Sequence, residues 1–145
     1  MIINNTNCPF CKKEKIHKQI IFESDETMII LPLHQRGKGH LLVIPKIHVD
    51  SIVSLPDEYL KDMFEQFKKA ELLLEKAYSA SNFNILTNQG KLAGQSVFHL
   101  HFHLLPRFEG EESNPLFKTE NDLVLSQEQV ILQDTEFLKE VFKSI

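Results

Sequence analysis

The chain has 145 residues, 20 acidic and 16 basic side chains, and a formal charge of −4. That balance argues against a general surface for a nucleic-acid polymer, and no apolar run is long enough to cross a bilayer. Hydrophobic content of 42% and two cysteines fit one globular domain over residues 1–145 in the reducing cytoplasm, where structural disulfides are rare.

Cys8-Pro9-Phe10-Cys11 reads as a knuckle of two thiols, half of a tetrahedral zinc set. Lys12 to Lys18 is basic and polar, a solvated loop or short helix. Gln19-Ile20-Ile21-Phe22 and Thr27-Met28-Ile29-Ile30-Leu31 flank the polar turn Glu23-Ser24-Asp25-Glu26, which predicts a β-hairpin. Arg36-Gly37-Lys38-Gly39 is a glycine-rich turn. His40 opens the apolar run through Pro45, a strand expected to be buried on both faces, with a local hydrogen bond for His40.

Leu55-Pro56-Asp57-Glu58 starts the main helix, which is expected to run to about Ala80. Tyr59, Leu60, Met63, Phe64, Phe67, Leu74 and Tyr78 supply its core stripe. Phe83 to Asn88 is the next strand and Gln89 to Val97 a loop with two glycines. Phe98 to Pro106 is a further strand. Glu109 to Pro115 is acidic and turn-rich. A final helix is expected from Ser126, with Ser126 and Gln129 as a capping box and Val130, Ile131, Phe137, Leu138, Val141 and Phe142 on its apolar side.

The chemistry concentrates in His99-Leu100-His101-Phe102-His103-Leu104-Leu105. In an extended chain alternate side chains share a face, so the three histidines lie together opposite Leu100, Phe102 and Leu104. Three adjacent imidazoles serve no folding purpose. Cys8, Cys11, His48 and His99 together make a closed Cys2His2 zinc set of the structural kind. The alternative is free thiols with His48 orienting the strand histidines.

With His99 engaged, His101 and His103 remain. A neutral imidazole can attack phosphorus to give a nucleotidyl-histidine that water then hydrolyses, with His103 bonding a phosphate oxygen or the leaving group. The loop just upstream carries Asn88, Gly94, Gln95 and Ser96 as donors for the developing charge, Gly94 allowing close backbone approach. His17 and His34 are expected in exposed loops, and Lys46 and Arg107 on solvated surface.

Gly94 through Arg107 resembles the signature of the histidine-triad (HIT) superfamily of nucleotide hydrolases and transferases. Leu42-Val43-Ile44-Pro45-Lys46 with His48 is similar too, and Cys8-Pro9-Phe10-Cys11 resembles the zinc-binding bacterial branch. The likeness covers residues 8–107 and leaves 108–145 as a C-terminal extension with a helix. It implies an α+β fold with an antiparallel sheet of about five strands, one main helix and a homodimer. It also implies His101 as nucleophile on the α-phosphorus, with His103, Ser96, Gln95 and Asn88 around the phosphate. Phosphoramidates and dinucleoside polyphosphates are the implied substrates, a nucleoside monophosphate the product. Nucleotidyl transfer, or nucleotide binding without turnover, are the alternatives. Many members hold the ribose with an acidic residue where this chain has Pro32, which offers no carboxylate.

Overall fold

The computed structural model describes residues 7–111 and 127–145, together with the backbone of 124–125. Strands β1 (Ile20–Glu23), β2 (Thr27–Ile30), β4 (Leu41–Pro45), β5 (Phe83–Leu86) and β6 (Phe102–Pro106) form one sheet in the order β1-β2-β4-β6-β5. Every pairing in it is antiparallel. A two-residue strand β3 (His34–Gln35) pairs with β7 (Val124–Leu125), so the C-terminal extension returns to the β2–β4 connection. The α+β architecture and the five-stranded sheet are as expected.

Alternation along the strands assigns the two faces of the sheet. Ile29, Leu41, Val43 and Leu104 point to the main core, built against the helix α2 (Asp57–Tyr78) and the C-terminal helix α3 (Glu128–Phe142). Met28, Ile30, Leu42 and Ile44 point the other way, against Ile16 of the short helix α1 (Lys13–Ile16) and Phe10 of the knuckle. All five residues of β4 are buried, as expected for a strand covered on both sides.

Helix α2 follows Pro56 and carries Asp57 and Glu58 in its first turn, where the amide dipoles favour negative charge. It ends at Ser79, whose left-handed φ of 56° lets its N–H cap the Glu75 carbonyl and the Ala80 N–H reach the Leu74 carbonyl. Met63, Phe67, Ala70, Leu73 and Leu74 are its buried apolar side chains, and Tyr59, Leu60 and Tyr78 pack at the margin. Phe64, expected in the stripe, is 66% exposed. It lies a turn-fraction off the face that meets β4.

Helix α3 begins two residues later than expected, with Gln127 as its cap and no side-chain capping bond. The predicted capping box rests on Ser126, which lies outside the described residues. Ile131 and Leu138 are buried in the main core, and Phe142 stacks on Phe22 at 4.4 Å. Val130 and Phe137 are 43% and 46% exposed, because the helix lies on the sheet with only one narrow stripe inward.

Gly39 shows why the turn before β4 is glycine-rich. Its φ is 76°, and a Cβ there would sit 2.9 Å from Pro106 Cγ and 3.2 Å from Leu74. The acidic stretch is described only through Glu111, where Glu109, Gly110 and Glu111 are exposed; the rest lies outside the described residues.

Candidate active site and metal cluster

The histidine strand is shorter than its sequence suggests. Regular pairing begins at Phe102, and His99 and His101 precede it. They are nonetheless fixed. Leu100 donates its N–H to Val49 carbonyl at 2.6 Å, and the Thr87 hydroxyl donates to His101 carbonyl at 2.8 Å. Side-chain alternation survives: Leu100 and Leu104 enter the main core while the three imidazoles face the other way. Strand pairing completes the row, since Ile30 sits opposite Leu42 and Leu42 opposite His103.

His99, His101 and His103 are 0%, 6% and 8% exposed. Burial pushes the pKa of each below the usual range, that of His103 to about 3, so all three are neutral near pH 7. The hydrogen bonds then fix each tautomer. His101 Nδ1–H donates to the His99 carbonyl at 2.7 Å, which leaves the lone pair on Nε2. His40 Nδ1 accepts the backbone N–H of Arg36 at 3.0 Å, so its proton sits on Nε2. That Nε2–H donates to His103 Nδ1 at 2.9 Å, and the proton of His103 therefore sits on its own Nε2. One bare nitrogen and one N–H result, on imidazoles whose centroids are 5.2 Å apart.

His40 is the residue sequence reasoning undervalued. Its local bond to Arg36 exists, but its other nitrogen reaches 63 residues along the chain. Burial first, and then the charges of His103, Arg36 and His101, hold its pKa well below the usual value. The available signal was position: a histidine at the mouth of β4, the strand that pairs with β6.

These groups open into a cavity of about 340 Å³, within the size range of small-ligand sites. Its reacting end carries His101, His103, Asn88, Gly94 and Ser96, and Phe10, Ile16, Ile30 and Leu42 form an apolar wall. Gly94 has φ 87°, a conformation that favours glycine. Gln95 departs from expectation. Its side chain accepts the Gly90 N–H at 2.7 Å and donates to Asp50 carbonyl at 3.4 Å, and it does not line the cavity. These bonds tie its side chain to the loop and to the 46–52 segment. His34, expected as a bystander, and Arg36 also line the cavity, as does Pro32. Lys46 and Arg107 lie away from it, Arg107 held by Glu111 and Asn84. His17 is exposed and donates to Glu14 carbonyl.

Behind the reacting end, Cys8, Cys11, His48 and His99 converge, with their donor atoms all within 4.8 Å of one another. His48 Nδ1 and His99 Nδ1 are 3.3 Å apart, and Cys11 Sγ lies 3.3 and 3.6 Å from them. Cys8 Sγ is 3.4 Å from His99 Nδ1. Tetrahedral zinc with its usual bond lengths separates two nitrogens by about 3.3 Å and a nitrogen from a sulfur by about 3.5 Å. The donor set fits that ion. His99 Nε2–H donates to Pro45 carbonyl at 2.7 Å, which turns Nδ1 toward the thiols, as an outer-shell partner does for a metal-ligating histidine. Phe10, between the cysteines, meets both His99 and His101 edge-on at 5.8 and 5.3 Å.

The chain is similar to known proteins. The chain is 35% identical over 119 residues to Protein hit of Bacillus subtilis, covering 80% of this chain and 82% of that protein. It is 37% identical over 102 residues to the adenosine 5′-monophosphoramidase of Saccharomyces cerevisiae, 69% of this chain and 62% of that one. A zinc-bound histidine triad family protein from Mycobacterium smegmatis superposes with a TM-score of 0.69 at 27% identity, covering 86% and 84% of the two chains. The HIT domain model matches residues 13–110, two-thirds of the sequence and all three triad histidines, and the chain belongs to that family.

Proposed function

We propose that this protein hydrolyses nucleotides at the α-phosphorus, with phosphoramidates or dinucleoside polyphosphates as substrates and a nucleoside monophosphate as product. The supporting observation is the pair of opposed tautomers, a lone pair on His101 Nε2 beside a proton on His103 Nε2. The first step forms a bond from His101 Nε2 to phosphorus and breaks the bond to the leaving group, which departs as ammonia from an N-protonated phosphoramidate or as a phosphate anion, with the His103 Nε2–H donating a hydrogen bond to it. In the second, water attacks phosphorus, His101 departs as the neutral imidazole, and the proton lost by water passes to the released ammonia or to solvent. Asn88, Ser96 and the Gly94 backbone are placed to hold the phosphate oxygens, and Gln95 holds the loop that presents them. The monophosphoramidase activity named for the yeast relative is consistent with this chemistry.

Cys8, Cys11, His48 and His99 would hold structural zinc, which supplies a cross-link between the knuckle and the central sheet. Cysteines outside any disulfide are in keeping with a cytoplasmic location, and no helix among the described residues is long and apolar enough to cross a membrane. A homodimer is in keeping with the exposed apolar side chains Phe64, Leu72 and Ile85 on α2 and the edge strand β5.

Intact-protein mass spectrometry after mixing with adenosine 5′-phosphoramidate tests the reading, with AMP release followed in parallel. Wild type should form an adduct or release AMP, and His101→Ala should do neither. Undiminished AMP release by the His101 variant would refute it.

A further inference from the structure

The proposed reaction depends on where His101 Nε2 points. Among the described residues the imidazole has one hydrogen bond, from Nδ1–H to the His99 carbonyl at 2.7 Å, and Nε2 must stay bare to attack. The torsion that turns a histidine ring has a broad minimum, so one bond at one edge leaves the ring free to swing. A swing carries Nε2 off the line to phosphorus. Two neighbouring rings meet the imidazole edge-on. His103 does so at 5.2 Å and 64°, and Phe10 at 5.3 Å and 69°. His103 already has His40 on one nitrogen and faces the leaving group with the other. Phe10 has no part in the reaction as described so far beyond its place in the apolar wall.

Its backbone is fixed from both sides. Cys11 N–H donates to the Cys8 carbonyl at 3.2 Å, closing a tight turn, and Pro9 takes the second position, where its locked φ suits such turns. Cys8 and Cys11 then converge with His99, two residues from the nucleophile. The Phe10 ring is braced as well. It meets His99 edge-on at 5.8 Å and packs on the cluster of Ile16, Ile30 and Leu42. A wall for a nucleobase needs only apolar area, which an aliphatic side chain supplies. An edge-on ring pair has a preferred orientation, and that orients the partner.

We propose that Phe10 is a positioning residue for the nucleophile, its ring holding the His101 imidazole in the plane from which Nε2 meets phosphorus. This rests on the hydrolase reading for the role of His101, but its test is separable because the ring is also observed without turnover.

Wild type, Phe10→Leu and Phe10→Tyr, each zinc-loaded, would be compared in two measurements. Phe10 is half-buried, so both substitutions are mild. Steady-state AMP release from adenosine 5′-phosphoramidate separates positioning from binding. In Phe10→Leu kcat should fall about tenfold or more, as it does when a reacting group is slightly misplaced. KM should stay within about threefold, because the wall remains apolar. Phe10→Tyr keeps the ring and should regain most of kcat. The second measurement is long-range 15N–1H NMR correlation of the imidazoles at pH 7.5 without substrate. The His101 Nδ1 and Nε2 resonances should be well separated in wild type and Phe10→Tyr. They should draw together in Phe10→Leu, as the ring swings off the His99 carbonyl. A raised KM with kcat intact would make Phe10 a wall alone and overturn the proposal. So would a tyrosine variant no faster than the leucine variant, or His101 resonances in Phe10→Leu that match wild type. Wild type that forms no adduct and releases no AMP would sink the hydrolase reading, and the NMR comparison would still decide whether Phe10 holds the ring.

Discussion

Replacing His40 tests the tautomer relay most directly. His40 is 1% exposed, and its two ring nitrogens serve two partners, the Arg36 N–H at 3.0 Å and His103 Nδ1 at 2.9 Å. In His40→Leu both partners lose their bond inside the protein. Leaving a buried polar group unsatisfied costs about 1–3 kcal/mol, so two such groups put the loss of stability at about 2–6 kcal/mol. Activity should fall further than folding. With nothing donating to Nδ1, His103 is free to carry its proton there, and the Nε2–H that meets the leaving group is no longer guaranteed. One preorganised donor aimed at developing charge contributes about 10²–10³-fold, and we expect kcat to drop about 100-fold because His103 itself remains. In His40→Gln the side-chain amide reaches about as far as Nε2 and can donate to His103, so part of the rate should return. The assay is steady-state AMP release from adenosine 5′-phosphoramidate, at a temperature where circular dichroism shows both variants folded. Wild-type kcat in folded His40→Leu, or a glutamine variant no faster than the leucine variant, would refute the reasoning.

Three other outcomes follow from the same geometry. Gly39→Ala combines a left-handed φ with a Cβ 2.9 Å from Pro106, and should cost about 2–5 kcal/mol in urea unfolding; a loss under about 1 kcal/mol would show that the turn relaxes. Stripping zinc with a chelator should lower Tm by several degrees or more, and elemental analysis of protein purified without chelator should give about one zinc per chain. Well under one zinc would defeat the assignment of Cys8, Cys11, His48 and His99. Acid should destabilise the fold through His103. Its pKa is about 3 in the folded protein against about 6.5 unfolded, so its contribution is complete above pH 6.5 and is lost as pH falls toward 3. By pH 5 about 2 kcal/mol should have gone. His103→Gln should lose that much less between pH 7.5 and 5, and identical losses in the two proteins would show that His103 is not buried as a neutral base.

Local pattern carried much of this molecule. The β1–β2 hairpin, the doubly buried β4 and the extent of α2 followed from alternation, apolar runs and end signals, because strands and helices repeat at fixed periods. The triad announced its chemistry for the same reason: spacing of two put His99, His101 and His103 on one face, and that held even where regular pairing stopped at Phe102. The sequence could also name the four side chains that converge, Cys8, Cys11, His48 and His99, since zinc chemistry restricts residue type.

What it could not determine depends on which surfaces meet. Phe64 and Val130 are apolar yet exposed, because the width of a helix's buried stripe is set by its neighbours. The bonds of the Gln95 side chain to Gly90 and Asp50 join segments 45 residues apart in sequence, which no local pattern signals. His40 gained its reach from the antiparallel pairing of β4 with β6, and Arg36 and His34 came to the cavity through the path between β2 and β4. Composition and period, then, determined which chemistry the chain holds. Only the packing of distant segments decided which proton each histidine carries and which charges surround the ligand, because hydrogen-bond partners and burial are properties of proximity in space.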